Sequence, residues 1–354
     1  MNIFVIQQEP DPDEWASYLD QFPASPFLSL PWLRAFENSE RTPICLRLVS
    51  GGKTVGVAAG LSVTPSSPLL RRLYRIIHFF SGPAVENCDK ALAKACVSGL
   101  CAFAKAGGYT HLHFDSWDYP HVIEFGDAAF DRKIRDEYII SLKGKLSDIQ
   151  GRVRRTVKSK VKKATRSGVT FHESRSPEFA DVMLDLLDET LTTRMTKGYS
   201  RYSYYYMPYL DAEGLHRVME NGIARVFYAQ KADQILSAQF IVTYGKRAYG
   251  MLTGTNSKGY DLGANAFIFF HEFERLHSEG IESLNLGGIP GDTPSRGLIF
   301  FKTSFGAERH QCSGGWTPHL QGPFLNLLTD IYKGMSETKI KQVMDQWITG
   351  RNRL

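Results

Sequence analysis

The chain has 354 residues, a length that usually folds as two domains rather than around one core. Hydrophobic residues make up 43% and charged residues 22%, which is ordinary for a folded protein and excludes wholesale disorder. The formal net charge of +5 is a mild basic excess and does not predict a polycation. Five cysteines without a C-x-x-C pair argue against a disulfide framework and against a structural zinc site.

Two features of the chain bear on its compartment. It contains no run of eighteen or more apolar residues, so we expect no membrane-spanning helix. The N-terminal stretch MNIFVIQQEPDPDEW lacks the basic and long apolar regions of a secretory signal. We therefore expect a cytoplasmic protein.

The first half of the chain has the pattern of a mixed α/β fold. The hydrophobic periodicity and the Gly51-Gly52 turn predict strand, strand, strand, helix, strand. These elements cover Pro43–Ser50, Thr54–Val63, Leu73–Phe80, Asp89–Ala106 and Thr110–Phe114.

The second half repeats that order. Its three strands, helix and final strand cover Ile223–Gln230, Ile235–Thr243, Arg247–Thr253, Ala264–Ser278 and Glu282–Leu286. Two passes of one order indicate duplication of one architecture, although the halves share no obvious sequence.

A strongly basic helix is predicted between the halves. Ser147 and Gln150 have the spacing of a capping box, and Ser167-Gly168 ends the helix. One narrow apolar stripe runs along it, formed by Val153, Val157, Val161 and Ala164. The other faces carry eight cations and no carboxylate: Arg152, Arg154, Arg155, Lys158, Lys160, Lys162, Lys163 and Arg166. Such charges repel unless an anion offsets them, so we favour a phosphate-facing helix over a solvated linking helix.

A glycine-rich run follows the last predicted strand. Gly287 and Gly288 stand at the carboxyl end of that strand, where ligands of α/β proteins bind. Lys302 follows four apolar residues and precedes Phe305, so we expect a buried stem and an ammonium aimed at a defined place. Such a lysine holds a phosphate or carboxylate or stabilises an oxyanion; the alternative is a surface lysine along an apolar helix face.

Three further segments carry weaker patterns. His111, His113 and Asp115 share one strand face at a spacing open to a metal, but no fourth ligand is in view and we predict no metal. A loop crowded with tyrosines and cations after Arg194 suits phosphate or base contacts, or an aromatic lid. Leu69–Phe80 mixes cations with apolar residues, which is compatible with peripheral contact with the inner membrane surface, but we favour a loop followed by a strand.

Two motifs resemble one protein family. The run GGIPGDTPSRGLIFFKTSFGAE resembles the C-terminal signature of the Fem-type (FemAB-like) peptidoglycan aminoacyltransferases, a branch of the GNAT N-acyltransferase superfamily. The helix ending in KKATRSGV resembles the signature between their domains. The resemblance implies an α/β (α+β) fold of two tandem GNAT-like domains, each with a mixed, mostly antiparallel sheet flanked by helices. We expect domains at 1–145 and 169–325, a basic linking helix at 146–168 and a helical segment at 326–354.

The resemblance also implies an activity, the transfer of an acyl or aminoacyl group to an amine. The best-known members use aminoacyl-tRNA to extend the peptide stem of a peptidoglycan precursor, and other relatives are linked to exopolysaccharide production. By this resemblance Lys302 matches the functional lysine, and Tyr249 matches a tyrosine that faces the substrate. Arg194, Tyr204 and Tyr205 match a segment contacting the precursor's phosphates. Asp292 is a candidate proton acceptor or loop-fixing residue, and Arg154, Arg155, Lys158 and Lys162 are candidates for phosphate or tRNA binding.

The donor stays open between aminoacyl-tRNA and acyl-CoA, each as a co-substrate and not as a permanently bound cofactor. The superfamily's acyl-CoA loop is only half present, in Lys258–Ala264, where a helix start could hold a pyrophosphate. We expect a transferase acting on a cell-envelope precursor, related to peptidoglycan or exopolysaccharide. The alternatives are an acyl-CoA-dependent N-acyltransferase on an amino sugar or other small amine, and a non-catalytic tandem module that binds RNA or a polysaccharide assembly.

Overall fold

The computed structural model describes residues 2–9, 11–67, 71, 74–119, 131–198, 206–289 and 296–322, with backbone alone for 131–133. The helices are α1 Pro12–Asp20, α2 Leu30–Arg34, α3 Lys90–Ala106, α4 Leu146–Gly151, α5 Arg155–Arg166, α6 Phe179–Thr196, α7 Ala212–Glu220, α8 Ser257–Leu262, α9 Ala264–Ser278 and α10 Arg296–Ser304.

The strands are β1 Phe4–Gln8, β2 Arg41–Ser50, β3 Lys53–Val63, β4 Ile76–Phe79, β5 Ala84–Val85, β6 His111–Phe114, β7 Asp131–Ser141, β8 Thr170–Ser174, β9 Ala224–Lys231, β10 Gln234–Tyr244, β11 Arg247–Thr255, β12 Ser283–Ile289 and β13 Glu308–Trp316. Within the described residues, no helix combines the length and the apolarity needed to cross a bilayer.

The described chain forms two compact units. The first unit runs to Asp136 and resumes at Gln311, and the second unit covers Glu137–His310. The predicted boundaries of the domains and of the linking helix stay a prediction, and the segment predicted at 326–354 lies outside the described residues.

The first unit is built on five strands in the order β1, β2, β3, β4, β6. The first three neighbouring pairs are antiparallel, and β4 and β6 are parallel. Helix α3 connects the two parallel strands. Asp89 begins this helix by accepting a hydrogen bond from the Leu92 amide at 2.7 Å. The buried face of α3, with Cys96, Val97 and Leu100, belongs to the same hydrophobic core as strand residues such as Leu46.

The second unit repeats this arrangement in β8, β9, β10, β11, β12. Three antiparallel pairs are again followed by one parallel pair, β11 with β12. Helix α9 makes the connection between the parallel strands and packs in one core with α5 and the sheet. The predicted mixed, mostly antiparallel fold and the predicted duplication of element order are confirmed.

The basic segment differs from its prediction in two respects. The capping box is wrong: α4 begins after Lys145 without a side-chain cap, and the Ser147 hydroxyl bonds the Asp148 carboxylate at 3.4 Å. The helix also ends at Gly151 and resumes at Arg155, because the Arg154 amide donates to the Ser304 carbonyl at 2.9 Å. The predicted apolar stripe is confirmed, since all four of its members are buried: Val153, Val157, Val161 and Ala164.

Candidate functional site

Lys302 is buried at the end of β12. Helix α10 brings its Nζ to 2.8 Å from the Gly287 carbonyl oxygen and 2.9 Å from the Gly288 carbonyl oxygen. The residue is only 6% exposed, so the two hydrogen bonds offset the cost of removing the ammonium from water. The predicted buried stem is confirmed, and the ammonium is directed at the glycine backbone.

Gly287 has a backbone that favours glycine. Its φ is +75°, and a Cβ at this position would lie 3.3 Å from the Tyr249 hydroxyl. The Gly287 amide donates to the Asn285 side-chain oxygen at 2.9 Å. The turn is therefore held on one side by Lys302 and on the other by Asn285.

A buried carboxylate lies next to this turn. Glu137 is 1% exposed and accepts a hydrogen bond from the side-chain Nδ2 of Asn285 at 2.8 Å. The Tyr249 hydroxyl donates to the other oxygen of Glu137 at 3.3 Å. We call Lys302, Gly287, Gly288, Asn285, Tyr249 and Glu137 the lysine–glycine cluster. It combines a cation, a carboxylate and a phenol in a region largely shielded from water, where charges interact strongly.

The cluster lies where two parallel strands stop pairing. Strands β11 and β12 pair over Arg247–Tyr249 and Ser283–Asn285. Both strands continue, β11 to Thr255 and β12 to Ile289, but the described residues show no further pairing between them. The carboxyl ends of parallel strands are where ligands of open α/β sheets bind. This strand end is therefore the candidate active site.

Glu137 and Asn285 were not among the predicted site residues. Asn285 is a polar residue between Leu284 and Leu286 in a buried strand, which is a weak signal. Glu137 lies in a strand rich in charged residues, so its sequence gives no sign that it is buried.

The other residues predicted to bind substrate have different positions. Arg194 is exposed in the last turn of α6. Burial raises the pKa of Tyr260 on α8 above its usual value. A hydrogen bond with Thr190 and the positive charge of Arg194 lower this pKa, but they offset only part of the effect of burial. Tyr204, Tyr205 and Asp292 lie outside the described residues.

The basic face of α5 borders an exposed apolar surface. Arg154, Arg155 and Lys162 are exposed and Lys158 is half-buried. The Arg154 guanidinium lies 5.0 Å from the ring centroid of Phe300, a contact between a cation and an aromatic face. Three exposed apolar residues lie in the first two turns of α10: Leu298, Ile299 and Phe300.

Helix α5 also covers the turn between α8 and α9. Gly263 in this turn has φ +76°, and a Cβ there would lie 3.2 Å from the Lys160 carbonyl oxygen. The Lys163 ammonium donates to the Asp261 carbonyl at 2.6 Å. The segment that partly matches the acyl-CoA loop is thus helical over Ser257–Leu262. The start of α9 is in contact with the backbone of the basic helix α5.

Comparison with known proteins agrees with this architecture. Residues 151–301 match the family model of the acetyltransferase (GNAT) domain. The chain is similar in structure to FemX, with a TM-score of 0.69 and 13% identity over 91% of this chain and 99% of that one. It is also similar to L-PGS from Bacillus licheniformis, with a TM-score of 0.51 and 15% identity over 98% and 99% of the two chains. Comparison with curated protein sequences gives no match.

At these identities the structural similarities concern the fold alone. Together with the domain match, they show that the chain has the GNAT fold, and the predicted fold class is confirmed. A GNAT acetyltransferase domain supports an acyltransferase, which takes an acyl donor and an amine acceptor.

Proposed function

We propose that this chain transfers an activated acyl or aminoacyl group to an amine of a cell-envelope precursor. The observation that carries the proposal is the bond from Lys302 to Gly287 and Gly288 at the strand end where β11 and β12 stop pairing. The matched GNAT domain supports acyl transfer. The Fem-type resemblance of the glycine run and of the basic helix supports the envelope precursor.

The reaction we propose is direct transfer in a ternary complex. The acceptor nitrogen attacks the donor carbonyl, a C–N bond forms, and the ester C–O or thioester C–S bond breaks. The leaving oxygen or sulfur takes up the proton that the amine loses. Alignment of the two substrates and stabilisation of the tetrahedral oxyanion supply the catalysis, without an acyl-enzyme.

Each part of the cluster has a role in this proposal. Lys302 fixes the glycine turn and contributes positive charge near the developing oxyanion. Tyr249 and Glu137 form a hydrogen-bonded pair suited to moving the amine proton, and Asp292 is the alternative acceptor. Arg194, Tyr204 and Tyr205 would hold the phosphate or carboxylate of the acceptor.

The donor divides the proposal into two candidates. The GNAT domain favours acyl-CoA, since enzymes of this fold use it as co-substrate. The contact of Lys160 with Gly263 favours aminoacyl-tRNA, because the helix start that could hold a pyrophosphate is covered by α5. The same helix presents an extended basic face, which suits a polyanionic donor.

Substitution of Lys302 tests the proposal. Purified chain is incubated with labelled aminoacyl-tRNA or acyl-CoA and a lipid-linked or nucleotide-linked precursor, and the product is followed by mass. We expect Lys302→Ala to lower kcat by about 100-fold or more, the usual effect of removing one charge-stabilising donor. Lys246→Ala is the matched control, because that ammonium is 72% exposed and bonds Glu282 at the surface.

Two further measurements in the same assay distinguish the aminoacyl-tRNA donor from the acyl-CoA donor. Sensitivity to RNase identifies the tRNA donor, and release of free thiol identifies acyl-CoA. Thermal unfolding of each variant shows whether it is folded. Unchanged turnover in Lys302→Ala would remove the residue from the site, and binding without transfer by the unmodified chain would contradict the enzymatic proposal.

A further inference from the structure

Four aromatic rings form a continuous stack on the sheet of the first unit. His78 of β4 and His113 of β6 are a cross-strand pair, with ring centroids 4.5 Å apart and an interplanar angle of 25°. Phe80 stacks on the outer face of His78 at 4.8 Å, and Trp316 stacks on His113 at 4.0 Å. The two flanking rings thus pack against the outer faces of the two imidazoles.

A carboxylate lies at the edge of this stack. Asp115 follows β6, and its Oδ2 lies 2.8 Å from His78 Nε2. Its other oxygen, Oδ1, lies 3.6 Å from His113 Nε2. One nitrogen or oxygen atom from each of the three side chains therefore falls within 4.8 Å of the other two.

The three groups differ in access to solvent. The His78 side chain is 1% exposed, whereas those of His113 and Asp115 are 16% and 14% exposed. One potential ligand is thus fixed in the interior and two lie at the rim, where an ion can reach them. The sequence pattern had grouped His113 and Asp115 with His111. Among the described residues, the structure instead groups them with His78.

From this geometry we propose that His78, His113 and Asp115 bind one divalent transition-metal ion, with zinc as the ion class that best fits the donors. Two imidazoles and one carboxylate match the donor types that Zn²⁺ takes in three-ligand sites whose fourth position is open to water. Metal–ligand bonds of about 2.1 Å place tetrahedral ligands roughly 3.4 Å apart, so the two imidazoles must turn out of their stacked arrangement for both Nε2 atoms to point at one ion. Binding through His78 Nε2 requires the neutral imidazole with its proton on Nδ1, so the ion takes the place of the hydrogen bond between Nε2 and Asp115.

The site would tie the two parallel strands of the first unit together. It does not depend on the proposed transferase function, because every residue in it belongs to the first unit. The alternative is a hydrogen-bonded carboxylate–imidazole cluster only, and the experiment distinguishes the two.

Titration of the full chain with Co²⁺ and then Zn²⁺ tests the proposal. The chain is prepared without a histidine tag and stripped with a chelator. We expect one Co²⁺ per chain with visible d–d absorption, displaced by one Zn²⁺. We expect His113→Ala and Asp115→Asn each to weaken Zn²⁺ binding by at least about 100-fold.

Two controls keep the assignment specific. His111→Ala removes a histidine from the same strand, and His216→Ala removes one that pairs with Asp181 in the second unit. Both should bind Zn²⁺ as the unmodified chain does, and circular dichroism checks that every variant is folded. Absence of stoichiometric Co²⁺ binding, or full Zn²⁺ affinity in the folded His113 and Asp115 variants, would overturn the proposal.

Discussion

Glu272 is a buried carboxyl group on α9, in the second unit. It is fully buried, and neither of its oxygens has a hydrogen-bond partner within the described residues. Burial raises its pKa well above the usual 4.5, and the charge of Arg225 offsets only part of this effect. The folded chain therefore keeps this proton to a higher pH than the unfolded chain does.

Replacing Glu272 should stabilise the protein. Above about pH 4.5 the unfolded chain loses this proton while the folded chain keeps it. Glu272 therefore lowers the free energy of unfolding progressively as the pH rises towards the pKa of the folded state. Glu272→Met removes both this effect and the unsatisfied oxygens. We expect a gain of about 1–3 kcal/mol in the free energy of unfolding at pH 8, and a smaller gain at pH 5.

Urea unfolding at the two pH values measures this difference. Glu220→Met, at an exposed position of α7, is the matched control and should change stability little at either pH. A loss of stability in Glu272→Met, or a gain equal at pH 5 and pH 8, would contradict a raised pKa of this buried carboxyl group.

The candidate site was only partly predictable at the level of single residues. Lys302, Gly287 and Gly288 lie within one local run, and their proximity follows from the chain itself. Glu137 and Asn285 come from strands that are distant in sequence and meet only in the folded sheet. Local patterns carry no information about which strands become neighbours. The side chains that surround the glycine turn could therefore be identified only in the folded structure.

At the scale of elements, the basic segment shows where local pattern fails. The stripe from Val153 to Ala164 is continuous in sequence because Val153, in the break before α5, is buried together with the three stripe residues on α5. The break itself depends on a tertiary hydrogen bond, from the Arg154 amide to the Ser304 carbonyl. Periodicity therefore predicted which residues are buried, but it did not predict where the helix is interrupted.

The exposed cations of α5 should determine donor affinity if the donor is tRNA. Arg155 and Lys162 are exposed and no acidic residue lies on this helix. Arg155→Glu combined with Lys162→Glu should weaken tRNA binding and reduce the slope of log K against log salt by about 1 for each phosphate that the variant no longer neutralises. Filter binding at several salt concentrations measures the slope.

A charge-matched control separates this face from net charge. Lys53→Glu combined with Lys90→Glu makes the same charge change at exposed positions of the first unit. Its tRNA affinity and salt slope should remain close to those of the unmodified chain. Equal weakening in both double variants would show that tRNA binding follows overall charge and not the α5 face.

At the scale of the whole molecule, the repeated order of strands was predictable, but the two further strands β7 and β13 were not. The two passes of strand, strand, strand, helix, strand appear in the structure as β2 to β6 and β9 to β12. Strands β7 and β13 were missed, because their sequences, beginning DRKIRDE and ERHQC, lack an apolar alternation. The boundaries between the two units fall within these two strands, at Asp136 and at His310.

A buried ion-pair network links three elements of the second unit. Arg225 of β9 is 1% exposed and bonds Glu173 of β8 at 3.0 Å and Glu279, after α9, at 2.8 and 2.6 Å. Burial raises the pKa of Glu173, but the bonds and charges of Arg225 and Arg275 outweigh it, and the pKa lies below the usual 4.5. The pKa of Glu279 is lowered chiefly by its hydrogen bond with Arg225.

This network should make the stability of the molecule sensitive to acid. Because the folded pKa values of Glu173 and Glu279 are lowered, their contribution is complete above about pH 4.5 and is lost as the pH falls through those values. Arg225→Met should lower the free energy of unfolding by about 1–3 kcal/mol at pH 7, because it removes the hydrogen bonds of a buried guanidinium to two carboxylates, while Arg275 stays paired with Glu173 and Glu279. The deficit should shrink below pH 4.5, as urea unfolding across that range can measure. Arg166→Met, at an exposed position, should show no such deficit, and a deficit in Arg225→Met that is constant from pH 7 to pH 3 would contradict the ionic origin of the effect.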